Sequence, residues 1–380
     1  MNHFRILMLA IFVIFSGWAC NTTDTSSDYF LFVGTYTSEA SEGIYLYTFD
    51  TNTGTIDSIG VTKGVDNPSY LTLSEDHSNL YAVNEAADSA NSTVSAFSFD
   101  KEKQELMFLN KQSSMGGAPC YISTDNKGKA VFVGNYVGGN VSLYPIRDNG
   151  TLAEATMTIQ HRGNSINKNR QNSPHVHCTI LSADGNHLLV TDLGTDKVYG
   201  YAFDRKTVSL DSKPAFSSAA AAGAGPRHIT NHPKNSFSYL INELNGTVSA
   251  FSYQGDSLRP IQTTSTLPEG YKGPKTAADI HISPDGRFLY ASNRENLNDI
   301  VIYSIDQQEG TLTKVGRQST RGIHPRNFTI DPTGNFLLVA NRKTDNIVVF
   351  KRDRENGLLE STETEIKVSQ PVFLKLIPAD

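Results

Sequence analysis

The stretch Ala277-Ala-Asp-Ile-His-Ile-Ser-Pro-Asp-Gly-Arg-Phe-Leu-Tyr-Ala-Ser-Asn293 holds two short, largely apolar strands around a Pro-Asp-Gly turn. Asp and Gly supply the side-chain acceptor and the backbone freedom that a tight turn needs, so the stretch reads as a β-hairpin. Relatives of its first strand begin Asn67-Pro-Ser-Tyr-Leu, Ala118-Pro-Cys-Tyr-Ile, Ser173-Pro-His-Val-His, Gly225-Pro-Arg-His-Ile, His324-Pro-Arg-Asn-Phe and Gln370-Pro-Val-Phe-Leu. The second strands end at Gly34, Asn84, Asn135, Asp192, Asn242, Asn293 and Asn341, in steps of 50, 51, 57, 50, 51 and 48 residues. A period near fifty residues with four short strands per unit is the pattern of a β-propeller. Seven copies predict an all-β, seven-bladed ring.

The chain ends support the count. The repeat region opens with a second-type strand, Tyr29-Phe-Leu-Phe-Val-Gly-Thr-Tyr, and the chain closes with a lone first-type strand, Pro371-Val-Phe-Leu-Lys-Leu-Ile. Neither end holds a complete unit, and together they make one. The C-terminal strand is therefore expected innermost in the blade that the N-terminal strands begin, which closes the ring and removes an open sheet edge.

The 380 residues would allow two or three domains by length alone, but an unbroken repeat makes one ring. A net charge of −6 with no basic stripe argues against nucleic acid as a partner. The first twenty residues differ from the rest. His3 and Arg5 precede an apolar run from Ile6 to Phe15, then Ser16-Gly-Trp-Ala-Cys20, a signal-peptide layout too short for a permanent bilayer span. Ala19 before Cys20, with a polar tether behind it, resembles a bacterial lipoprotein lipobox. The expected organisation is a signal segment over 1–20 lipidated at Cys20, a tether over 21–28 and the propeller over 29–380. The expected address is exported, periplasmic or outer-membrane-anchored, with membrane contact only through the lipid and the protein itself a monomer. Cys120 and Cys178 then remain as buried free thiols. No Cys/His spacing suggests zinc, and no metal or cofactor is expected.

In a propeller the first strand of each blade lines the central channel, and side chains alternate faces along it. Counting from the residue after each Pro, position one is Ser69, Cys120, His175, Arg227, Asp279, Arg326 and Val372. Position three is Leu71, Ile122, His177, Ile229, His281, Phe328 and Leu374. The residues following the second strands, Glu85, Tyr136, Leu193, Glu243, Arg294 and Arg342, are expected on the same rim. Charged groups are seldom buried in strand cores unless paired or in contact with a ligand, so a small-molecule site is expected at this mouth. The Asn and Asp residues that end the second strands are expected to cap turns, and His228 and His232 to serve packing or surface roles.

The phrases Gly225-Pro-Arg-His-Ile, Asn242-Glu-Leu-Asn-Gly-Thr-Val, Ala278-Asp-Ile-His-Ile-Ser-Pro-Asp-Gly-Arg and Pro325-Arg-Asn-Phe resemble the 6-phosphogluconolactonase family of seven-bladed propellers, which also includes fungal carboxymuconate-lactonizing enzymes. The resemblance runs from about residue 29 to 378 and implies a lactone hydrolase acting on a small sugar lactone. It carries catalytic roles onto His177, Arg227, Glu243 and Arg294. His175, Asp279, His281 and Arg326 are expected to bind substrate.

Lactone opening needs a base for water and positive charge for the oxyanion. Glu243 is the expected base if desolvation raises its pKa, with His177 as the alternative, and Arg227 and Arg294 are placed on the oxyanion. The expected substrate is 6-phosphogluconolactone or a related aldonolactone. The export signal conflicts with the first, a cytoplasmic metabolite: either the signal reading fails and the chain is cytoplasmic, or the substrate is a different sugar or uronic-acid lactone, an unphosphorylated one included. A muconate cycloisomerase and a non-catalytic binding platform are the other classes. Residues 154–172, rich in Asn and basic residues, read as a mobile surface loop, with a lid over the mouth as the alternative.

Overall fold

A computed structural model describes residues 28–125 and 127–380; the signal segment, Cys20 and most of the tether lie outside them. Seven antiparallel sheets of four strands form the ring, one of them carrying an extra short strand, Ser209–Leu210. The blade made from both chain ends has the order Pro371–Pro378, Asp28–Thr35, Gly43–Asp50 and Ile56–Lys63, with Tyr29 opposite Pro378 and Val33 opposite Leu374. This is the closure read from the chain ends.

The hairpin turns form for the reason their residues suggest. In the Ser-Pro-Asp-Gly turn the Ser283 hydroxyl donates to Asp285 Oδ1 (2.6 Å), the Arg287 N–H donates to the same oxygen (2.9 Å), and Gly286 takes φ +81°. Second strands such as Ala130–Asn135 and Phe336–Asn341 are buried along their whole length, whereas outer strands such as Glu105–Ser113 are half exposed. Blades pack on one another through aromatic edges, for example Phe32 on Phe99 at 5.0 Å and Phe49 on Phe336 at 5.8 Å. Such pairs add about 0.5–1.5 kcal/mol each beyond the area they bury. The Asn and Asp residues at the second-strand ends do cap: Asn84, Asn293 and Asn341 donate to carbonyls of neighbouring segments, and Asp192 accepts three backbone N–H bonds.

One local irregularity decides where side chains point. Pro226 lies opposite Asn242 and His228 opposite Ile241, so Arg227 is left over as a bulge. The same slip follows Pro119, Val176, Ala277, Pro325 and Pro371. A bulge adds one residue to one strand and re-aims its side chain. It also reverses the expected alternation, so that position three faces a neighbouring blade instead of the channel. The bulge ring at the mouth therefore reads Ser69, Cys120, His177, Arg227, Ala278, Arg326 and Val372.

Two members differ from the sequence reading. In the third first strand Val176 takes the place that Pro holds elsewhere, which puts His177 in the ring in place of His175. In the fifth, Ala277 takes that place, so Ala278 is in the ring and Asp279 falls one level deeper. Sequence alignment on the Pro, or on its missing equivalent, hides a shift that only the backbone pairing reveals.

Candidate active site

Two rings meet at one mouth of the channel. The second ring is fixed by a bond that recurs in every blade: the residue after the second strand donates its N–H to the carbonyl just before the first strand. Tyr36, Glu85, Tyr136, Leu193, Glu243, Arg294 and Arg342 donate in this way to Gln370, Asn67, Ala118, His175, Gly225, Thr276 and His324, at 2.8–3.2 Å. Tyr36 belongs to this ring because its strand runs on to Thr35, opposite Pro371, one residue past the Gly34 expected as its end.

Glu243 is the centre of the mouth. Arg227 Nε donates to its Oε2 at 3.1 Å, Arg294 Nη2 lies 3.2 Å from the same oxygen, and Arg170 Nη2 donates to Oε1 at 2.7 Å. Arg170 also bonds the Tyr136 hydroxyl at 3.1 Å. It comes from residues 154–172, of which Met157–Gln160 forms the outer strand of a blade and the part after it carries Arg170 to the mouth; Gln171 anchors that part by donating to Leu193 O and Asp196 Oδ1, both at 2.8 Å. The loop was foreseen as basic, but its one functional contact is tertiary and left no mark in the sequence beyond that composition.

Across the mouth stands a second acid. Glu85 accepts from the Tyr36 hydroxyl (3.0 Å) and from Ser69, with Arg326 at 4.0 Å. Arg326 and Arg342 lie over the Tyr36 ring at 5.5 and 4.7 Å, within cation–π range. Five guanidinium groups thus face two carboxylates. Several donors are unused: Arg227 Nη2, Arg294 Nη1 and the whole Arg326 fork donate to no described residue.

The charge balance sets the protonation states. Burial pushes the Glu243 carboxyl up, but Arg294, Arg227 and Arg170 outweigh it and hold it down to about 2. The expectation that desolvation would make Glu243 a base near neutrality is therefore reversed. Burial, then the charges of Arg227 and Arg326, hold His177 well below its usual 6.5, so its imidazole is neutral. Burial lowers Arg294 to about 10, against the pull of Glu243, which leaves it protonated at neutral pH. Cys120 Sγ sits 3.7 Å from His177 Nδ1, and burial raises its thiol far above the range of a nucleophile. Cys120 and Cys178 are both buried and free.

The residues expected at the site fall into two sets. His177, Arg227, Glu243, Arg294 and Arg326 converge on this mouth. His175 stands at its edge, stacked on Tyr136 at 4.4 Å, with Nδ1 2.8 Å from Tyr136 O. Asp279 and His281 do not join them. Asp279 lies below the bulge ring, and His281, two residues further along the strand, lines the opposite mouth. Asp279 accepts five hydrogen bonds: from His228 Nδ1 (2.7 Å), His281 Nε2 (3.0 Å), Asn327 Nδ2 (2.6 Å) and the N–H groups of Ile280 and Phe328. It is a structural hub joining three blades. His228 is also axial rather than superficial. Arg227 can only donate, so His228 Nε2 accepts (3.2 Å) and its Nδ1–H points to Asp279. Tyr70, Tyr121 and Phe373 pack beside it, with ring centroids 4.1 Å apart for Tyr70 on each of the other two, and plug the channel.

Comparison with known proteins gives a consistent result. Residues 30–376 match the family model described as lactonase, 7-bladed β-propeller. A 6-phosphogluconolactonase of Bacillus subtilis is 35% identical over 92% of this chain and 98% of its own. The solved periplasmic gluconolactonase of Pseudomonas aeruginosa superposes with a TM-score of 0.88 at 34% identity, over 93% of this chain and all of that one. A solved Bacteroides fragilis protein with a provisional 6-phosphogluconolactonase assignment has the same TM-score at 42% identity, over 93% of this chain and 99% of its own.

Proposed function

Since the chain belongs to the lactonase family of seven-bladed β-propellers, we propose that it hydrolyses an aldonolactone of the gluconolactone type, with His177 as general base and Arg227 and Arg294 as oxyanion donors. The observation that carries the reading is the set of unused guanidinium N–H groups beside a neutral imidazole at one mouth.

Water held by His177 adds to the lactone carbonyl carbon while its proton passes to the imidazole. The carbonyl oxygen gains negative charge, which Arg227 Nη2 and Arg294 Nη1 meet as charge-assisted donors. The ring C–O bond then breaks, and the imidazolium returns its proton to the departing alkoxide. The product is the open hydroxy acid, which releases one proton at neutral pH. Glu243 stays ionised throughout: both of its oxygens are taken up by Arg227, Arg294 and Arg170, so it fixes the arginines in one orientation and has no free oxygen for the water. Arg326 and Arg342 suit the distal hydroxyls or an anionic group of the sugar.

The N-terminal signal pattern and the periplasmic address of the Pseudomonas relative favour an exported enzyme and an unphosphorylated lactone. The test is proton release by residues 21–380 from gluconolactone and from 6-phosphogluconolactone, each against spontaneous hydrolysis and against Arg227→Ala. The expected result is faster opening of the unphosphorylated lactone, lost in the variant. A preference for the phosphorylated lactone would overturn the substrate assignment, and no acceleration of either would overturn the activity.

Arg170 bears on the same reaction from a half-exposed position, at 40% side-chain exposure. An exposed pair contributes about 0–1 kcal/mol, so Arg170→Leu is expected to lower kcat/KM by no more than about fivefold. A loss above about a hundredfold would place Arg170 among the groups that touch the transition state.

A further inference from the structure

The opposite mouth of the channel has its own chemistry. Beneath the plug formed by Tyr70, Tyr121, His228 and Phe373 lies a cavity of about 320 Å³. Its wall is made by the residues two places beyond the plug in each first strand. Among them are Thr72, Thr230, Thr329, His281 and Lys375. Strand geometry separates this level from the bulge ring by three residues, about 10 Å, so it is distinct from the mouth that holds Glu243.

The groups here are unbalanced. Lys375 is open to the water of the channel yet enclosed by the blades, and its ammonium makes no ion pair or hydrogen bond with any described residue. The hydroxyls of Thr72, Thr230 and Thr329 donate to no described residue either. The cavity contains one carboxylate, Asp279, and its two oxygens already accept from His228, His281, Asn327 and two backbone N–H groups. That carboxylate is the partner of the histidines and leaves the lysine without a counter-charge. His281 spends its Nε2 on Asp279, and its Nδ1 bonds no described residue. A lysine that faces the channel water with no carboxylate beside it presents its full charge to any anion that enters.

We propose that this second mouth binds a phosphate-type oxyanion through Lys375, with the Thr72, Thr230 and Thr329 hydroxyls and His281 as the remaining contacts. A tetrahedral oxyanion suits one ammonium and several hydroxyls offered by different blades, and a cavity of about 320 Å³ has ample room for inorganic phosphate or a phosphorylated small molecule. The site stands independently of the lactonase reading, since none of these side chains reaches the Glu243 mouth.

Amine acylation of the intact protein, read lysine by lysine by mass spectrometry, tests it without any substitution. At a phosphate concentration about tenfold above Kd, the Lys375 rate is expected to fall by about tenfold while Lys63 and Lys103, both on the surface, are unchanged. Chloride at equal ionic strength should leave Lys375 unprotected. Protection by inorganic phosphate alone would identify a free anion as the ligand, and protection by glucose 6-phosphate alone an organic phosphate; either supports the site. Equal Lys375 rates with and without both ligands, or equal protection by chloride, would overturn it.

Discussion

Replacing His177 by asparagine is expected to lower kcat on the preferred lactone by about 10²–10⁴-fold with KM changed little, the range associated with loss of a general base. Asparagine keeps a polar side chain of similar reach in the bulge position but has no group that can accept and return a proton. The comparison with Glu243→Gln is the decisive part. Glu243 holds Arg227, Arg294 and Arg170, and its carboxyl lies at about 2, so its loss should misplace the oxyanion donors and weaken substrate and transition state together. That variant is expected to raise KM as well as lower kcat. A wild-type kcat in His177→Asn, with abolished turnover and unchanged KM in Glu243→Gln, would reverse the two roles. The pH profile gives a second view. His177 must be neutral to act, and its folded pKa lies well below 6.5, so kcat/KM should stay flat as pH falls through 6.5.

Asp279→Ala is expected to destabilise the fold by about 3–5 kcal/mol, the range for removing one partner of a buried charged cluster. Five donors lose their acceptor at once, and three of them are side chains from three different blades. Thermal unfolding should show this as a fall in Tm on the order of 10 °C. The sign of the pH effect follows from the direction of the shift. Burial raises Asp279, but His281 and His228 outweigh it and hold the folded pKa well below 3.8. Its contribution is thus fully present above 3.8 and is lost as pH falls through the folded value. The wild-type protein should therefore lose more stability than the variant on acidification below pH 3.8. KM should be unaffected, because Asp279 lies beneath the mouth; a raised KM with unchanged Tm would restore a substrate-binding role.

Repetition made the fold legible. Turn residues and strand patterning recur at a nearly constant spacing, and the two incomplete ends can be joined in one way. Arg227, Glu243, Arg294 and Arg326 were legible because they occupy equivalent places in several repeats, whereas His177 was reached through the family resemblance alone. The errors came from a half-visible feature. A bulge shifts phase by one residue, and the Pro that marks its start is replaced by Val176 in one blade and Ala277 in another. Counting from Pro174 then puts His175 at the channel, and taking Ala278 for the missing Pro puts Asp279 beside Arg227, where the backbone puts His177 and Ala278. Arg170 and Tyr36 were missed for a different reason. Arg170 reaches Glu243 from 73 residues away through a loop whose path is set by Gln171 on Asp196, and Tyr36 enters its ring because its strand ends at Thr35, opposite Pro371, and not at Gly34. Neither event has a local sequence signature.

The strand Pro371–Pro378 also sets a timetable. Its partner, Asp28–Thr35, is synthesised first, and the two meet across nearly the whole length of the chain. A contact of such long range is slow to form, because the intervening chain must order before the pairing offers any return. Until that last eight-residue strand pairs, the edge of Asp28–Thr35 is bare. During that interval the molecule is most exposed to proteases and to sheet-edge association.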